Sequence, residues 1–127
     1  MSFNAHYGVR SSEVGADYRL KESGAAYLFQ ECAAEYFASK HFAGYDMARR
    51  GLTWLMGGIE ARFFAPMPFW RESAAVRVWI RGGSAARMYA DFEMVGEDGR
   101  VFARGEASYI AAEIDGRKPV SYTHLRA

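Results

Sequence analysis

The sequence predicts one α+β domain in which a single long helix lies against a curved antiparallel sheet of about five strands. A proline-free, alanine-rich segment from Glu22 to Phe42 carries apolar residues at helical spacing. One strand-like segment precedes it, and four segments with alternating apolar and polar residues follow it. Because an amphipathic helix must bury its apolar face against another element, helix and sheet are expected to form two packed layers.

The chain is predicted to begin with a strand and a loop. Partial alternation from Tyr7 to Val14 indicates the first strand, and Gly15 ends it. Asp17 follows in the loop that leads to the helix. Two roles are open for this carboxylate: catalysis beside a helix N-terminus, or an Asx-turn that only shapes the loop.

The helix is predicted from Glu22 to Phe42, with Ser23 as its N-cap and Gly44 as its stop signal. Five apolar residues recur on one face and are expected to be buried: Ala25, Leu28, Phe29, Cys32 and Tyr36. Cys32 is the only cysteine. With no histidine nearby to activate a thiolate, it is expected to be a buried apolar residue and not a nucleophile.

Four strands are predicted after the helix: Thr53–Phe64, Ala75–Arg81, Arg87–Val95 and Arg100–Ile114. The first of them is expected to direct one set of residues to the same face: Leu55, Ile59, Ala61 and Phe63. The acidic glycine turn GEDG, from Gly96 to Gly99, predicts that the last two strands form a hairpin.

Length and composition limit the possible classes of protein. With 127 residues, the chain is expected to form one domain over residues 1–120, followed by an unexplained tail at 121–127. A net charge of +1 gives no field that would draw the chain to nucleic acid. No apolar run reaches the roughly 18 residues of a membrane span, so a cytoplasmic location is expected.

The histidines do not resemble a metal site. His6, His41 and His124 are isolated in the sequence, and the single cysteine excludes a cysteine-rich site. We therefore expect no metal and no cofactor.

Two acids on the helix are candidates for chemistry. Helical geometry places Glu31 and Glu35 on one flank, beside the apolar stripe. The helix start near Gly24 offers backbone N–H groups that favour the partial negative charge of a carbonyl oxygen. An acyl thioester held there needs only water and a carboxylate base, or a carboxylate nucleophile, to be hydrolysed. The alternative for both acids is a solvated helix edge.

Four segments resemble the first hotdog domain of the fatty acyl-ACP thioesterases. They are RSSEVGAD from Arg10 to Asp17, LFQECA from Leu28 to Ala33, LTWLM from Leu52 to Met56, and GRVFARGEASYIAAEIDGRKPV from Gly99 to Val120. The similarity covers about nine tenths of the chain, in the same order. It implies a hotdog fold, in which the antiparallel sheet wraps the long helix.

The resemblance also bears on catalysis. In that family the catalytic Asp, Asn and His form a D-x-N-x-H pattern in the second hotdog, while the first mainly houses the acyl chain. After Asp17, this chain has Arg19 and Lys21 where the Asn and His would stand. Related single-hotdog thioesterases form dimers and use one Asp or Glu near or on the central helix, which implies Asp17 or Glu31 here.

Together with this resemblance, the sequence predicts a metal-free hydrolase that releases fatty acid from acyl-ACP or acyl-CoA and forms a homodimer or a higher hotdog oligomer. The residues expected to activate and orient water are Glu31 or Asp17, with Gln30. The residues expected to bind substrate are Gly24, Trp54 and Met56, with core packing as the alternative for Trp54. The alternative function is a non-catalytic module that binds acyl-ACP or acyl-CoA, either as a binding half or as a sensor.

Overall fold

A computed structural model describes residues 2–82 and 87–115. Its strands are β1 (Ser2–Gly8), β2 (Leu52–Phe63), β3 (Ser73–Arg81), β4 (Arg87–Gly96) and β5 (Val101–Glu113). They form one antiparallel sheet in the order β1-β3-β4-β5-β2, so β1 and β2 are its two edges. The helices are α1 (Glu22–Ser39) and the short α2 (Gly44–Ala48), and a 3₁₀ turn covers Ser11–Glu13. This is the predicted α+β arrangement with a hotdog fold.

Helix α1 packs on the sheet with the face that the sequence predicts. Ala25, Leu28, Phe29, Cys32 and Tyr36 are all at most 2% exposed. The rings of Phe29 and Phe92 lie 4.4 Å apart between their centroids and join α1 to β4. Small residues on β5, among them Ala103 and Ala107, complete the same core. The core therefore lies between α1 and the inner face of the sheet.

Strands β3, β4 and β5 follow the predictions within two residues at their ends. Val76 and Val78 on β3 are fully buried, whereas Arg77 between them is exposed. The predicted hairpin between β4 and β5 is confirmed, with the Gly96 N–H donating to the Arg100 carbonyl oxygen. Gly99 adopts a φ of +81°, which glycine tolerates better than other residues.

The first strand was predicted in the wrong place. Strand β1 occupies Ser2–Gly8, and the segment that was assigned to the strand's second half contains the turn Ser11–Glu13. The physical reason is a local carboxylate interaction, because Glu13 accepts a 2.9 Å hydrogen bond from the backbone N–H of Arg10. Such side-chain contacts compete with strand pairing.

Both predicted ends of the helix need correction. The residue at the N-cap is Lys21 and not Ser23. Helix α1 ends at Ser39, because His41 takes a φ of +63° and two bonds close the last turn, from the His41 N–H to the Ala38 oxygen and from the Phe42 N–H to the Phe37 oxygen. This is a Schellman ending. Gly44, which was predicted to stop the helix, instead begins α2.

A bulge in β2 corrects the predicted face of that strand. The pairing register with β5 shifts between Met56 and Gly58. Leu55 consequently pairs with Ile110, whereas Ile59 pairs with Ala107. Because paired residues share a face and side chains alternate along β5, Leu55 and Ile59 point to opposite faces. The prediction that they share one face is wrong.

Candidate active site

A groove of about 740 Å³ runs between the edge strand β1 and the outward side of α1. The residues that line it from β1 and the segment after it are His6, Tyr7, Gly8 and Arg10, and those from α1 are Tyr27, Leu28, Gln30, Glu31, Ala34 and Glu35. The helical residues recur every three or four positions, so they form one flank beside the buried stripe. The groove therefore has carboxylates and apolar surface on its helical wall, and the cation Arg10 on the side of β1.

Gln30 and Glu31 are brought to this groove together, as neighbours on α1. Both side chains are exposed. Glu31 makes no hydrogen bond to any residue of the described chain, which leaves its carboxylate available to a bound molecule.

Glu35 has a partner across the groove. The hydroxyl of Tyr7 on β1 donates a 2.9 Å hydrogen bond to its Oε2. Burial and this bond to Glu35 raise the pKa of Tyr7 above its ordinary value. Glu35 is thus engaged by β1, in contrast to Glu31.

Arg10 stands at the same groove and is held by Glu13. Its Nη2 lies 2.7 Å from Oε2 of Glu13, a carboxylate whose side chain is only 4% exposed. Sequence reasoning missed this pair, although acid and base stand three positions apart within the RSSEVGAD segment. The spacing of Arg10 and Glu13 is visible in the sequence, but the same spacing is equally typical of an exposed surface turn.

Asp17 lies outside the groove. Its Oδ1 accepts a 3.0 Å hydrogen bond from the backbone N–H of Arg19, and the turn is closed by the Tyr18 N–H, which donates to the Gly15 oxygen. This is the geometry of an Asx-turn. The structure does not bring Asp17 together with Glu31.

The expected binding residues are also dispersed. Gly24 is buried at the start of α1, where an added Cβ would stand 2.8 Å from the Glu13 carbonyl oxygen. Trp54 packs on Phe37, with ring centroids 5.5 Å apart, and its indole N–H donates to the Phe42 oxygen at 2.6 Å. Met56 lies 42% exposed on edge strand β2. None of these three residues lines the groove.

Cys32 is buried as predicted. Desolvation raises the pKa of its thiol from 9.0 to about 11, with a smaller contribution from the nearby charge of Glu35. A thiol held in its neutral form is a poor nucleophile.

Within residues 2–82 and 87–115, no three His, Cys, Asp or Glu side chains lie close enough to hold a metal ion. His124 and the tail predicted at 121–127 lie outside the described residues. Among the helices of the described residues, none combines the length and the apolar composition that a membrane span requires.

The fold recurs in known thioesterase structures. A 1,4-dihydroxy-2-naphthoyl-CoA thioesterase from Synechocystis superposes with a TM-score of 0.89 at 17% identity, covering 99% of this chain and 93% of that one. An acyl-ACP thioesterase from Bacteroides thetaiotaomicron gives a TM-score of 0.85 at 17% identity, covering 94% and 49%. The 12:0-ACP thioesterase from Umbellularia californica gives 0.83 at 20% identity, covering 98% and 51%. This chain therefore spans about half the length of the two acyl-ACP enzymes.

The sequence itself identifies the family. No curated protein matches the chain by sequence. A family profile described as the acyl-ACP thioesterase N-terminal domain, however, matches residues 1–124. The chain therefore belongs to the acyl-ACP thioesterase family and, with it, to the thioester hydrolases.

Proposed function

We propose, from membership of the acyl-ACP thioesterase family, that this chain releases fatty acid from acyl-ACP or acyl-CoA in the groove between β1 and α1. The observation that carries the proposal is Glu31, an exposed carboxylate on the groove wall with no hydrogen bond to a described residue. Ala34 on the same wall is exposed and gives apolar contact for an acyl chain.

The proposed chemistry is metal-free hydrolysis. Glu31 removes a proton from water while the water oxygen bonds to the thioester carbonyl carbon. The carbonyl electrons move onto oxygen and then return, which breaks the carbon–sulfur bond. The departing thiolate takes the proton from Glu31, and the fatty acid leaves as a carboxylate after losing its own proton. Gln30, beside Glu31, orients the water through its amide.

The other predicted site residues are alternatives to those of the groove. Asp17 is the alternative base, although its Oδ1 already accepts the Arg19 N–H. The N–H groups near Gly24 are the alternative donors to the carbonyl, and Trp54 and Met56 are the alternative acyl contacts. Each requires a substrate position away from the groove.

We also propose that the chain forms a homodimer through β2. This edge strand has twelve residues, and it carries Met56 and Ile59, which are 42% and 40% exposed. A long edge strand with exposed apolar residues tends to pair with another strand. Strand β1, which borders the groove, is the opposite edge of the sheet.

The second candidate function is acyl binding without turnover. It is favoured by the loop that contains Asp17, where Arg19 donates from Nη1 to the Met67 carbonyl oxygen at 2.7 Å and thus serves the structure of the loop. A binding half or a sensor needs the groove but no base.

Thiol release by the purified protein separates the two functions. Acyl-CoA and acyl-ACP substrates of short to long chain length are offered, and the free thiol is measured. Hydrolysis predicts release that saturates with substrate concentration and depends on chain length. Saturable binding of the same substrates, measured by calorimetry with no thiol released, would reject hydrolysis and support the binding function.

A further inference from the structure

Glu13 is a buried carboxylate that is bonded three times by a single residue. Its side chain is only 4% exposed. The Arg10 backbone N–H donates to Oε1 at 2.9 Å, while Nε and Nη2 of the Arg10 guanidinium donate to Oε2 at 3.2 and 2.7 Å. A buried charge is costly unless it is paired and hydrogen-bonded, so Glu13 depends on Arg10.

The same bonds fix Arg10. Two of its three guanidinium nitrogens are held by one carboxylate, and because the guanidinium is planar, the direction of the third is fixed as well. Nη1 makes no hydrogen bond within the described ranges. The Arg10 side chain is 72% exposed, and it lines the groove that Glu31 also lines.

The charges of Arg10 and Glu31 also interact. The pKa of Arg10 is raised above its ordinary value. The hydrogen bonds to Glu13 contribute most, the charge of Glu13 contributes next, and the charge of Glu31 adds a smaller contribution. A cation is thus held by a buried anchor near the free carboxylate of the groove. Glu31 and Arg10 line the same groove from different segments of the chain.

The backbone N–H groups at the start of α1 are less accessible to a substrate carbonyl than the sequence suggests. The Glu13 carbonyl oxygen accepts the Lys21 N–H at 2.9 Å. A Cβ added at Gly24 would stand 2.8 Å from the same oxygen and 3.1 Å from the Glu13 Cβ. The turn that contains Glu13 therefore covers this end of α1. Arg10 is the donor that the same turn presents to the groove.

We infer that Arg10 is a catalytic residue whose Nη1 donates a hydrogen bond to the thioester carbonyl oxygen as negative charge develops on it, with Glu13 as the residue that positions Arg10. This inference rests on the proposed hydrolysis and completes it. As water bonds to the carbonyl carbon and its proton passes to Glu31, negative charge develops on the carbonyl oxygen next to the guanidinium. When that charge returns to form the carbonyl again, the carbon–sulfur bond breaks and the thiolate takes the proton from Glu31.

The test compares Arg10→Lys with the matched control Arg49→Lys, an exposed arginine outside the groove. Loss of an oxyanion donor typically lowers kcat by about 100-fold or more. Arg10→Lys is expected to show such a loss, whereas its affinity for a non-hydrolysable ketone analogue of acyl-CoA changes little. Arg49→Lys is expected to match the wild type in both. Circular dichroism and urea unfolding verify that each variant is folded.

The role of Glu13 is tested with a double-mutant cycle. Glu13→Gln is expected to lower kcat while leaving the Kd of the ketone analogue unchanged. If Glu13 acts only through Arg10, the double variant Arg10→Gln with Glu13→Gln loses no more kcat than Arg10→Gln alone. The double variant also removes both charges, so it leaves no unpaired buried carboxylate and guards against misfolding of the single variants.

The outcomes separate this inference from the proposed function. Thiol release by the wild type that a folded Arg10→Lys variant, or the folded double variant, retains in full would overturn the inference and leave hydrolysis standing. Absence of release by the wild type from every substrate would overturn both. A parallel fall in kcat and in affinity for the ketone analogue would assign Arg10 to binding and overturn its catalytic role.

Discussion

The hydroxyl of Tyr7 lies 2.9 Å from Oε2 of Glu35, and this hydrogen bond joins the edge strand β1 to the central helix α1 across the groove. Tyr7 and Glu35 are 28 residues apart in the chain. The bond is therefore one of the long-range contacts that hold β1 against α1. Glu31 lines the same groove and makes no hydrogen bond to a described residue.

Replacement of Tyr7 by Phe is expected to lower the free energy of unfolding by about 0.5–1.5 kcal/mol, the usual net value of one hydrogen bond. Urea unfolding at neutral pH measures the change. Tyr27→Phe is the matched control, because Tyr27 lines the same groove and makes no hydrogen bond to a described residue. Equal stabilities of the two variants would show that the Tyr7 bond contributes nothing.

Stability is expected to fall at alkaline pH. Burial raises the pKa of Tyr109 from 10.0 to about 12 and that of Cys32 from 9.0 to about 11. Between the ordinary and the raised value, the unfolded chain has released a proton that the folded chain still binds, so unfolding becomes more favourable as pH rises. The contribution of Cys32 is complete below pH 9 and is lost towards pH 11; that of Tyr109 is complete below pH 10 and is lost towards pH 12.

Urea midpoints measured from pH 8 to 11 check this dependence. Cys32→Ala should show a smaller decrease between pH 9 and pH 10 than the wild type does. The same slope in both proteins would contradict the assignment to Cys32.

Gly24→Ala is expected to destabilise the fold by about 1–3 kcal/mol, as overpacking does. The added methyl group would stand 2.8 Å from the Glu13 carbonyl oxygen and 2.9 Å from the Leu20 Cδ1. Gly44→Ala is the control, since its methyl group would meet no atom within 4 Å. Thermal unfolding compares them, and a Gly24→Ala variant as stable as Gly44→Ala would contradict the packing role.

The proposed homodimer predicts that Ile59→Lys yields a monomer. Charge on an exposed edge strand opposes pairing with another strand. Sedimentation velocity is the measurement, with Tyr45→Lys as control at a residue 73% exposed on α2. A dimer that survives Ile59→Lys, or a wild type that is monomeric at all concentrations, would reject pairing through β2.

The fold was predictable wherever burial alone determines the spacing of apolar residues along the chain. On β3 and α1 the buried residues Val76, Val78 and Phe29 recur at the strand and helix periods, and those periods are visible in the sequence. The bulge at Met56–Gly58 shifts the alternation within β2 by one residue, so residues after it point to the opposite face from the one that the alternation before it predicts. The adjacent Gly57 and Gly58 were a signal for it, because glycine inside a strand often marks a bulge.

The site was predictable only in part. Glu31 and Gln30 follow from helical geometry on a single element. Tyr7 meets Glu35 only because β1 pairs with β3 at the sheet edge, and this tertiary contact has no local signal in the sequence. Arg10 and Glu13 are close in the chain, but only burial of the Glu13 carboxylate distinguishes their pairing from an ordinary exposed salt bridge.

The most direct test of the account is kcat for thiol release by Glu31→Gln beside Asp17→Asn, with folding verified for both. A general base contributes about 100-fold or more to the rate, so Glu31→Gln is expected to lose at least that much while Asp17→Asn keeps the wild-type rate. Full activity in Glu31→Gln together with its loss in Asp17→Asn would contradict the groove as the active site and move the chemistry to the loop before α1.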